Sequence, residues 1–368
     1  MHVRYSYLKQ QFSDCSDLWA RLKKFVATED FTLGKELLRF EKNFAKLMGT
    51  KYAVGVNSGT DAIKLSLKSL GVGNGDEVIT AANTFVATVG AITEIGAKPI
   101  FVDCNDTFCM NVDLVEKKIT SKTKAIVPVH FTGYMTDMPK LMKLSKKYRI
   151  PIVEDACQSI LANINGKNSG SWGDFGAFSL HPLKNINVWS DGGVITTNNL
   201  KHYKNLKLLR NHGLVDRDTV KICGYNSRLD TFQAVVGNWL LPKAKNIANR
   251  RIKNANYYDK NFSKLPQITI PPRPKNFKLV YHLYIIFAEN RDQLLKYCLK
   301  KGIEAKVHYP KPMYMQESVK FLKHKSGDFP TTDEHTKKII TFPCDQHLSL
   351  KEMSYVVKCV NDFYKNKI

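Results

Sequence analysis

Five short runs rich in β-branched residues alternate with longer stretches of helical period between residues 52 and 155, and this alternation constrains the fold most strongly. The runs occupy residues 52–56, 77–80, 99–103, 125–130 and 150–154. The helix candidates between them occupy residues 60–70, 86–95, 113–119 and 138–148. Such alternation is typical of βαβ units, whose strands lie parallel in one sheet. We therefore predict an α/β fold with helices on both faces of a mostly parallel sheet.

Two further apolar runs, at residues 176–180 and 193–197, bring the number of predicted strands to seven. No full helix separates these two runs, so we expect the end of the sheet to depart from simple winding. A long helix over residues 228–241 then closes the unit. Ligands of open α/β sheets bind beyond the carboxyl ends of the strands. The turns that follow the runs are therefore where the chemistry is expected.

The pattern changes after Pro242, and a proline-rich break follows at residues 271–274. The elements predicted beyond Pro242 are helices over 243–262, 292–301 and 351–365 and a strand over 279–287. A chain of 368 residues is long enough for about two compact units. We predict a large domain of residues 1–242 and a smaller C-terminal α+β domain of residues 243–368.

The composition excludes several classes of protein. Lys and Arg outnumber Asp and Glu by 56 to 33, but the lysines are scattered, with no basic tail and no interleaved aromatic repeat. We interpret the charge of +23 as solvated surface, with attraction of an anionic substrate as the alternative, and expect no nucleic-acid partner. The eight cysteines show neither Cys-x-x-Cys nor zinc-ligand spacing, so we expect reduced thiols and no metal. The absence of signal-peptide and membrane-span patterns predicts a cytoplasmic protein without a membrane partner.

A phosphate-binding turn is indicated after the first run, where Ser58, Gly59 and Thr60 separate a strand from a helix. Glycine admits close approach of the backbone, and the exposed N–H groups and dipole of a helix N-terminus suit a phosphate. An ordinary Ser or Thr helix cap is the alternative interpretation.

An acidic pair, Glu154 and Asp155, follows the fifth run and therefore lies at a carboxyl end. A carboxylate at this place can pair with a cationic ring nitrogen and keep it protonated. Helix capping or metal binding by Asp155 is the alternative, but no histidine lies at ligand spacing from it.

A turn after the sixth run receives the hydroxyl of Ser179, the imidazole of His181 and the amine of Lys184. A single lysine in a lysine-rich chain is most often a surface residue. Lys184 differs because it follows a strand end, lies in no charge run, and shares a predicted sheet edge with the phosphate and carboxylate candidates.

Taken in order, these segments resemble the DegT-type sugar aminotransferases, a family of fold type I pyridoxal-phosphate (PLP) enzymes. The resemblance covers nearly the whole chain, and its segments are 31–37, 40–41, 58–62, 75–79, 84–88, 96–99, 128–130, 153–158, 173–184, 224–230, 233–234, 281–284 and 308–310. It implies transfer of an amino group from glutamate or glutamine to a keto-sugar, with a nucleotide-linked sugar expected, in amino-sugar and surface-polysaccharide biosynthesis.

The resemblance also implies roles for single residues. Lys184 would hold PLP as a Schiff base, and Asp155 would pair with the ring nitrogen. Phe85 would stack on the pyridine ring, and Gln158 would hydrogen-bond the phenolic oxygen. The other cofactor-binding residues that it implies are Ser58, Gly59, Thr60, Ser179 and His181, of which Gly59, Thr60 and Ser179 would bind the phosphate.

Family members are homodimers with the site at the interface, which implies that Asn226 and Arg228 reach the phosphate or substrate of the neighbouring subunit. His308, Tyr309 and Tyr314 are implied to bind substrate. The pair Met313-Tyr314 departs from the Leu-His more common in the family, so the identity of the sugar, and of the carbon that is aminated, stays open.

Two other functions are considered. Some relatives carry histidine in place of the Schiff-base lysine and are PLP-dependent sugar dehydratases, whereas this chain keeps Lys184, which favours transamination. A non-catalytic regulatory or nucleic-acid-binding protein on the same fold would have no use for Asp155 and Lys184 together.

Overall fold

The computed structural model describes residues 1–365, and seven strands form its central sheet. The strands are β1 Tyr52–Val56, β2 Glu77–Ala81, β3 Lys98–Val102, β4 Thr123–Val127, β5 Val153–Asp155, β6 Phe175–Ser179 and β7 Gly193–Thr197. Each of them coincides with a predicted run, and the ends differ by at most three residues.

The order of the strands is that of a doubly wound sheet. Hydrogen bonds join β3-β2-β4 and β1-β7-β6-β5, and parallel bridges from Ile126 to Ile152 and from Val129 to Asp155 connect the two groups. The sheet therefore has the order β3-β2-β4-β5-β6-β7-β1. Strand β7 is antiparallel to both of its neighbours, whereas β2, β3, β4, β5 and β6 pair in parallel. The predicted mostly parallel α/β fold is confirmed, including the departure at its end.

Eight α-helices surround this sheet. They are α1 Leu8–Gln11, α2 Ser16–Val26, α3 Lys35–Met48, α4 Gly59–Ser69, α5 Val86–Glu94, α6 Met138–Tyr148, α7 Leu200–Leu209 and α8 Thr231–Leu240. Neighbouring residues of a strand enter different cores, as Val78 and Ile79 of β2 do, so both faces of the sheet are covered. This burial explains why the central runs are almost continuously apolar.

Two predicted helices differ from those observed. Residues 113–119 form two 3₁₀ turns, Val112–Leu114 and Glu116–Lys118, because the N–H groups of Val115, Lys118 and Ile119 donate to carbonyls three residues earlier rather than four. The helix predicted from residue 228 begins at Thr231, since Asp230 has a ψ of 136°. Arg228 therefore lies on a loop.

The C-terminal part of the chain has its own sheet. Strands β8 Ile268–Thr269, β9 Tyr284–Ala288 and β10 Ile339–Phe342 pair antiparallel in the order β8-β9-β10. Helices α9 Ala244–Phe262, α10 Arg291–Lys300, α11 Pro330–Lys338 and α12 Leu350–Lys365 complete this part. The domain boundary between residues 242 and 243 stays a prediction.

Two segments cross between the large sheet and the C-terminal part. A hairpin of strands Asn163–Ile164 and Lys167–Asn168 pairs with Phe277–Lys278, and Val3 forms a parallel bridge with Ile303. Over residues 1–365, no helix combines the length and the apolar character that crossing a bilayer requires.

Candidate active site

A cavity of about 330 Å³ lies at the carboxyl ends of the central strands and brings together most of the predicted site residues. Those that line it are Ser58, Gly59, Thr60, Phe85, Asp155, Gln158, Ser179, His181, Lys184, His308 and Tyr309. Asp155 ends β5 and Ser179 ends β6, so these side chains reach the cavity from one sheet edge. This is the edge at which open α/β sheets bind ligands.

The first turn of α4 forms one wall of the cavity. Ser58 is its N-cap, and the Ser58 Oγ accepts a hydrogen bond of 3.1 Å from the N–H of Asp61. The N–H groups of Gly59 and Thr60 are among those for which a helix offers no acceptor. A Cβ on Gly59 would lie 2.7 Å from the Ser179 Cβ, so glycine is what lets the turn approach β6 so closely. The turn is thus both an ordinary cap and a site suited to an anion.

A network of hydrogen bonds and ion pairs, largely buried except at Glu94, holds this turn from outside the cavity. The Ser227 hydroxyl donates to Asp61 Oδ2 over 2.6 Å, and Lys64 Nζ lies 2.9 Å from Asp61 Oδ1 and 3.1 Å from Glu94 Oε1. Burial disfavours the charged amine of Lys64, but its bonds to Asp61 and Glu94 prevail and raise its pKa. The position of α4 therefore rests on an ion-paired cluster outside the cavity.

Both oxygens of Asp155 are held by donors. The Thr88 hydroxyl donates to Oδ2 over 2.7 Å, the N–H of Cys157 donates to Oδ1 over 3.2 Å, and the hydroxyls of Thr84 and Thr88 lie 2.7 Å apart. The carboxylate is buried and faces the cavity. Its orientation is therefore set before any ligand binds.

The neighbouring carboxylate, Glu154, points to the opposite face of the sheet, as alternate residues of a strand do. It accepts hydrogen bonds from the N–H groups of Gly170, Trp172 and Gly173 at 2.7 to 2.8 Å, and His130 Nε2 lies 2.8 Å from it. Glu154 therefore organises a loop, and the acidic pair leaves one carboxylate, Asp155, for the cavity.

Lys184 follows β6 in an irregular turn and extends its amine into the cavity. Its N–H donates to the carbonyl of His181 over 2.8 Å. Burial lowers the pKa of Lys184, although Cys157 and Asp155 act in the opposite direction. A lowered pKa increases the neutral fraction of the amine, which is the form that acts as a nucleophile or a proton acceptor.

Sequence reasoning missed several residues that line the cavity. The missed polar residues are Tyr5, Cys157, Asp191, His282 and Lys306. Lys306 Nζ lies 4.2 Å from the centre of the Tyr5 ring, which stacks on His308 at 5.9 Å. His282 stands within a segment that matched the family pattern, but Tyr5 carries no local signal because it lies 53 residues before Ser58.

Two imidazoles of the cavity, those of His308 and His282, are biased toward their neutral form. Burial lowers the pKa of His308 to about 4, with the positive charges of Lys306 and Lys184 acting in the same direction. Burial also lowers the pKa of His282 well below its ordinary value, and Lys184 adds to this shift. Near neutral pH neither His308 nor His282 therefore adds a positive charge to the cavity.

The structure does not bring the remaining predicted residues into this cavity. Asn226 and Arg228 line a separate cavity of about 310 Å³. Tyr314 is 2% exposed, donates its hydroxyl to Asp333 and packs against Phe329 with ring centres 4.6 Å apart. The ring and hydroxyl of Tyr314 are both occupied within a core, and the expectation that Tyr314 binds substrate stays a prediction.

The chain is similar to known proteins over nearly its whole length. The model of the DegT/DnrJ/EryC1/StrS aminotransferase family matches residues 14–361. A pleiotropic regulatory protein of Geobacillus stearothermophilus is 34% identical over 370 residues, covering 100% of both chains. A UDP-N-acetyl-3-dehydro-alpha-D-glucosamine 3-aminotransferase of Acidithiobacillus ferrooxidans is 34% identical over 355 residues, covering 96% of this chain and 95% of that protein. The crystal structure of S. venezuelae DesV in complex with a ketimine intermediate superposes with a TM-score of 0.96 at 32% identity, covering 98% of each chain.

Proposed function

The chain belongs to the DegT/DnrJ/EryC1/StrS aminotransferase family, and from this membership we propose that it moves an amino group from glutamate or glutamine to a nucleotide-linked keto-sugar. It is a PLP-dependent sugar aminotransferase. The observation that carries the proposal is that Lys184, Asp155 and the first turn of α4 line one cavity. A Schiff-base lysine and a side chain that pairs with the ring nitrogen are typical of proteins that use PLP, and its phosphate needs an anion site.

The residues of the cavity fit PLP. The N–H groups of Gly59 and Thr60, with the Ser179 hydroxyl, would hold the phosphate. The close packing of Gly59 against Ser179 of β6 brings these donors together. Asp155 would pair with the ring nitrogen, because its two oxygens are already fixed toward the cavity. When bound, PLP supplies an electron-withdrawing ring that stabilises negative charge on the substrate carbon.

Two further residues, Gln158 and Phe85, would orient the ring. Gln158 Oε1 accepts from the N–H of Thr132 over 2.8 Å, which leaves the amide NH₂ of Gln158 to donate to the phenolic oxygen. Phe85 is 48% exposed at the mouth of the cavity, its ring centre lies 6.0 Å from that of Tyr309, and it would stack on the pyridine ring. Ser58 and His181 complete the set, as the cap of α4 and as the residue that begins the Lys184 turn.

Lys184 would accept a proton from the substrate carbon and then donate it to a second carbon atom. Burial favours the neutral amine that accepts the proton. The reaction requires this proton transfer twice, once with the amino donor and once with the keto-sugar. Both steps need the amine to reach the same face of the substrate carbon. The conformation of the turn around Lys184 therefore affects both half-reactions.

Lys306 would bind a carboxylate of the amino donor. Among residues 1–365 it forms no ion pair, and its ammonium group lies against the Tyr5 ring at the C-terminal side of the cavity. Glutamate and glutamine both carry an α-carboxylate next to the amino group that is transferred. His308 and Tyr309, two and three residues further along the chain, would contact the sugar in the second half-reaction.

We propose a homodimer in which each subunit completes the site of the other. Asn226 is exposed and Arg228 Nη1 donates to Asn211 Oδ1 over 3.1 Å, and both residues lie outside the cavity of their own chain. Large apolar side chains are exposed on and beside α2 and α3, namely Trp19, Val26, Phe31 and Leu38. Exposed apolar groups of this kind favour contact with another protein surface.

Subunit mixing tests this arrangement. Lys184→Ala and Arg228→Ala variants are each expected to be inactive, whereas dimers that contain one subunit of each should regain part of the activity. In such a hybrid, the subunit with an intact Lys184 would receive Arg228 from its partner. If mixing restores nothing while dimers form, Arg228 acts within its own chain and the shared site is wrong.

The cofactor proposal is tested by absorbance and peptide mapping. The purified protein should absorb visible light, glutamate should bleach the band, and borohydride reduction should fix the cofactor mass on the peptide that contains Lys184. Incubation with a panel of keto-sugars, including nucleotide-linked ones, should then restore the band. Release of ammonia without an amino donor would instead identify a dehydratase. A colourless protein that does not take up PLP would overturn the proposal and favour a regulatory function.

A further inference from the structure

A chain of side-chain amides connects the C-terminal part of the protein to the Lys184 turn through the N-terminal segment. Arg251 Nε donates to Gln346 Oε1 over 2.8 Å, and Gln346 Nε2 donates to Gln11 Oε1 over 2.7 Å. Gln11 Nε2 donates to Asn187 Oδ1 over 2.9 Å. Asn187 Nδ2 then donates to the carbonyls of Pro182 at 2.7 Å and Lys184 at 3.1 Å. Four side chains thus form one continuous path, which we term the amide relay.

The direction of the amide relay is fixed at one end. A guanidinium group donates hydrogen bonds and accepts none, so Arg251 obliges Gln346 to present its oxygen. Each later amide must then turn its NH₂ group toward the next oxygen, which leaves Asn187 with donors for the two backbone carbonyls. No member can be flipped without placing two oxygens or two NH₂ groups against each other. The relay therefore has a single orientation.

Burial makes each link costly to break. Arg251, Gln346 and Asn187 are 6%, 3% and 1% exposed, and Gln11 is half-buried. An unmet donor or acceptor in such surroundings costs more free energy than the hydrogen bond itself contributes. The relay therefore acts as one unit.

The amide relay holds both sides of the cavity. At one end, Arg251 Nη1 also donates to the carbonyls of Tyr281 and His282 at 3.2 and 3.3 Å, and His282 lines the cavity. At the other end the relay fixes the backbone around Lys184, where the chain is irregular and has no strand or helix to support it. A displacement at either end would change the distance from Lys184 to the substrate side of the site.

The N-terminal segment that supplies Gln11 is itself anchored on the C-terminal part. Val3 bridges to Ile303, the N–H of Tyr5 donates to Glu304 Oε2 over 2.8 Å, and the N–H of Tyr7 donates to Asp345 Oδ2 over 3.4 Å. Gln11 is the last residue of α1, and its hydrogen bond to Asn187 joins this segment to the Lys184 turn.

We propose that Gln11 is a positioning residue for Lys184, and that the amide relay sets the place of the Lys184 turn relative to the C-terminal part. The inference rests on the proposed function in that Lys184 is taken to be the reacting amine. Gln11 itself lines no part of the cavity, so it acts through Asn187 and touches no reacting atom.

The test compares Gln11→Met with Gln10→Met, since Gln10 is exposed on the same turn. Gln11→Met keeps the length of the side chain and removes both hydrogen bonds. We expect the holoenzyme to lose about ten-fold in kcat in each half-reaction, with KM within about two-fold, because misplacing a reacting group slows the chemistry more than binding. The pH midpoint of the visible absorbance band should also shift, and Gln10→Met should match the wild type in both measurements.

A second readout does not depend on the cofactor. In the protein without PLP, hydrogen–deuterium exchange of the peptide spanning residues 182–188 should become faster in Gln11→Met and stay unchanged in Gln10→Met. Gln11→Asn, which retains an amide too short to reach both partners, should behave like Gln11→Met. Gln11→Asn replaces Gln11→Met in both measurements if the methionine variant does not fold.

Two results would overturn the proposal. One is a Gln11 variant with the kcat, absorbance midpoint and exchange of the wild type. The other is a variant that melts earlier but retains the kcat of the wild type per bound cofactor, since Gln11 would then serve stability alone. A wild-type protein that binds no PLP would contradict the proposed function instead, and the exchange measurement would still report on the relay.

Discussion

The Thr88 hydroxyl donates a hydrogen bond of 2.7 Å to Oδ2 of Asp155, so α5 orients the carboxylate that ends β5. We expect Thr88→Val to lower the rate of both half-reactions about ten-fold, because a hydrogen bond to a charged group contributes about 1.5 kcal/mol. Thr93→Val is the matched control, since Thr93 donates only to backbone carbonyls of the same helix. Equal rates for the two variants would show that Thr88 does not orient Asp155.

Asp155→Asn should leave PLP bound while lowering both half-reactions by roughly 100-fold or more, because the charge that sustains the protonated ring is lost. Absorbance measures the bound cofactor, and single-turnover kinetics with glutamate and with a keto-sugar measure the two half-reactions. Asp113→Asn, on the surface, is the control. Undiminished turnover in Asp155→Asn would contradict the assigned role.

Gly59→Ala should weaken PLP binding about ten-fold or more, because overpacking of a closely packed site costs about 1–3 kcal/mol. The new Cβ would lie 2.7 Å from the Ser179 Cβ and 3.0 Å from the Cys157 Sγ. Gly90→Ala is the control, since a Cβ there meets nothing within 4 Å. Titration of each protein with PLP gives the dissociation constants, and equal values would refute the steric argument.

Lys306→Gln should raise the KM for glutamate about five-fold and leave the KM for the keto-sugar unchanged, since a solvent-exposed ion pair contributes up to about 1 kcal/mol. The effect should diminish at high salt. Lys300→Gln, at the end of α10, is the control for loss of one positive charge. A change in the KM for the sugar alone would assign Lys306 to the other substrate.

Stability should fall as the pH is lowered from 6.5 toward 4. Between these values the unfolded chain protonates His308, whereas the folded protein, with a pKa of about 4, does not. The unfolded state then binds more protons, so the free energy of unfolding rises with pH, by on the order of 1–3 kcal/mol for this residue. The full contribution is present above pH 6.5. Denaturation measured across this range should show a shallower pH dependence in His308→Gln, and an unchanged slope would exclude His308 as its source.

The positions of Lys184 and Asp155 could be predicted because both follow apolar runs, and the carboxyl ends of parallel strands meet at one edge. The contribution of Tyr5 and Lys306 to the cavity could not be predicted, since these residues are 301 positions apart. They meet only when the N-terminal segment pairs beside Ile303. Nothing in the residues near either position indicates the other.

Tyr314 illustrates a different limit of sequence reasoning. Its neighbours in sequence, Met313 and Met315, gave no indication of which way its side chain points. The Tyr314 hydroxyl donates to Asp333 of α11, and the Tyr314 ring packs against Phe329, the N-cap of that helix. The orientation of Tyr314 therefore depends on α11, which begins sixteen residues later in the chain. Similarly, the loop position of Arg228 follows from the backbone angle of Asp230 rather than from the apolar pattern, which continues through it.

The pairing of Val3 with Ile303, and of Gln11 with Gln346, has a consequence for biosynthesis. The strands that carry Asp155 and Ser179 can form while the chain is still being translated, but the wall that holds Tyr5 and Lys306 also needs Ile303 and Glu304, which are translated much later. Contacts so distant in sequence form late in folding. Closure of the substrate side of the cavity is therefore a late step in folding, and it takes place on a chain whose central sheet can already be formed.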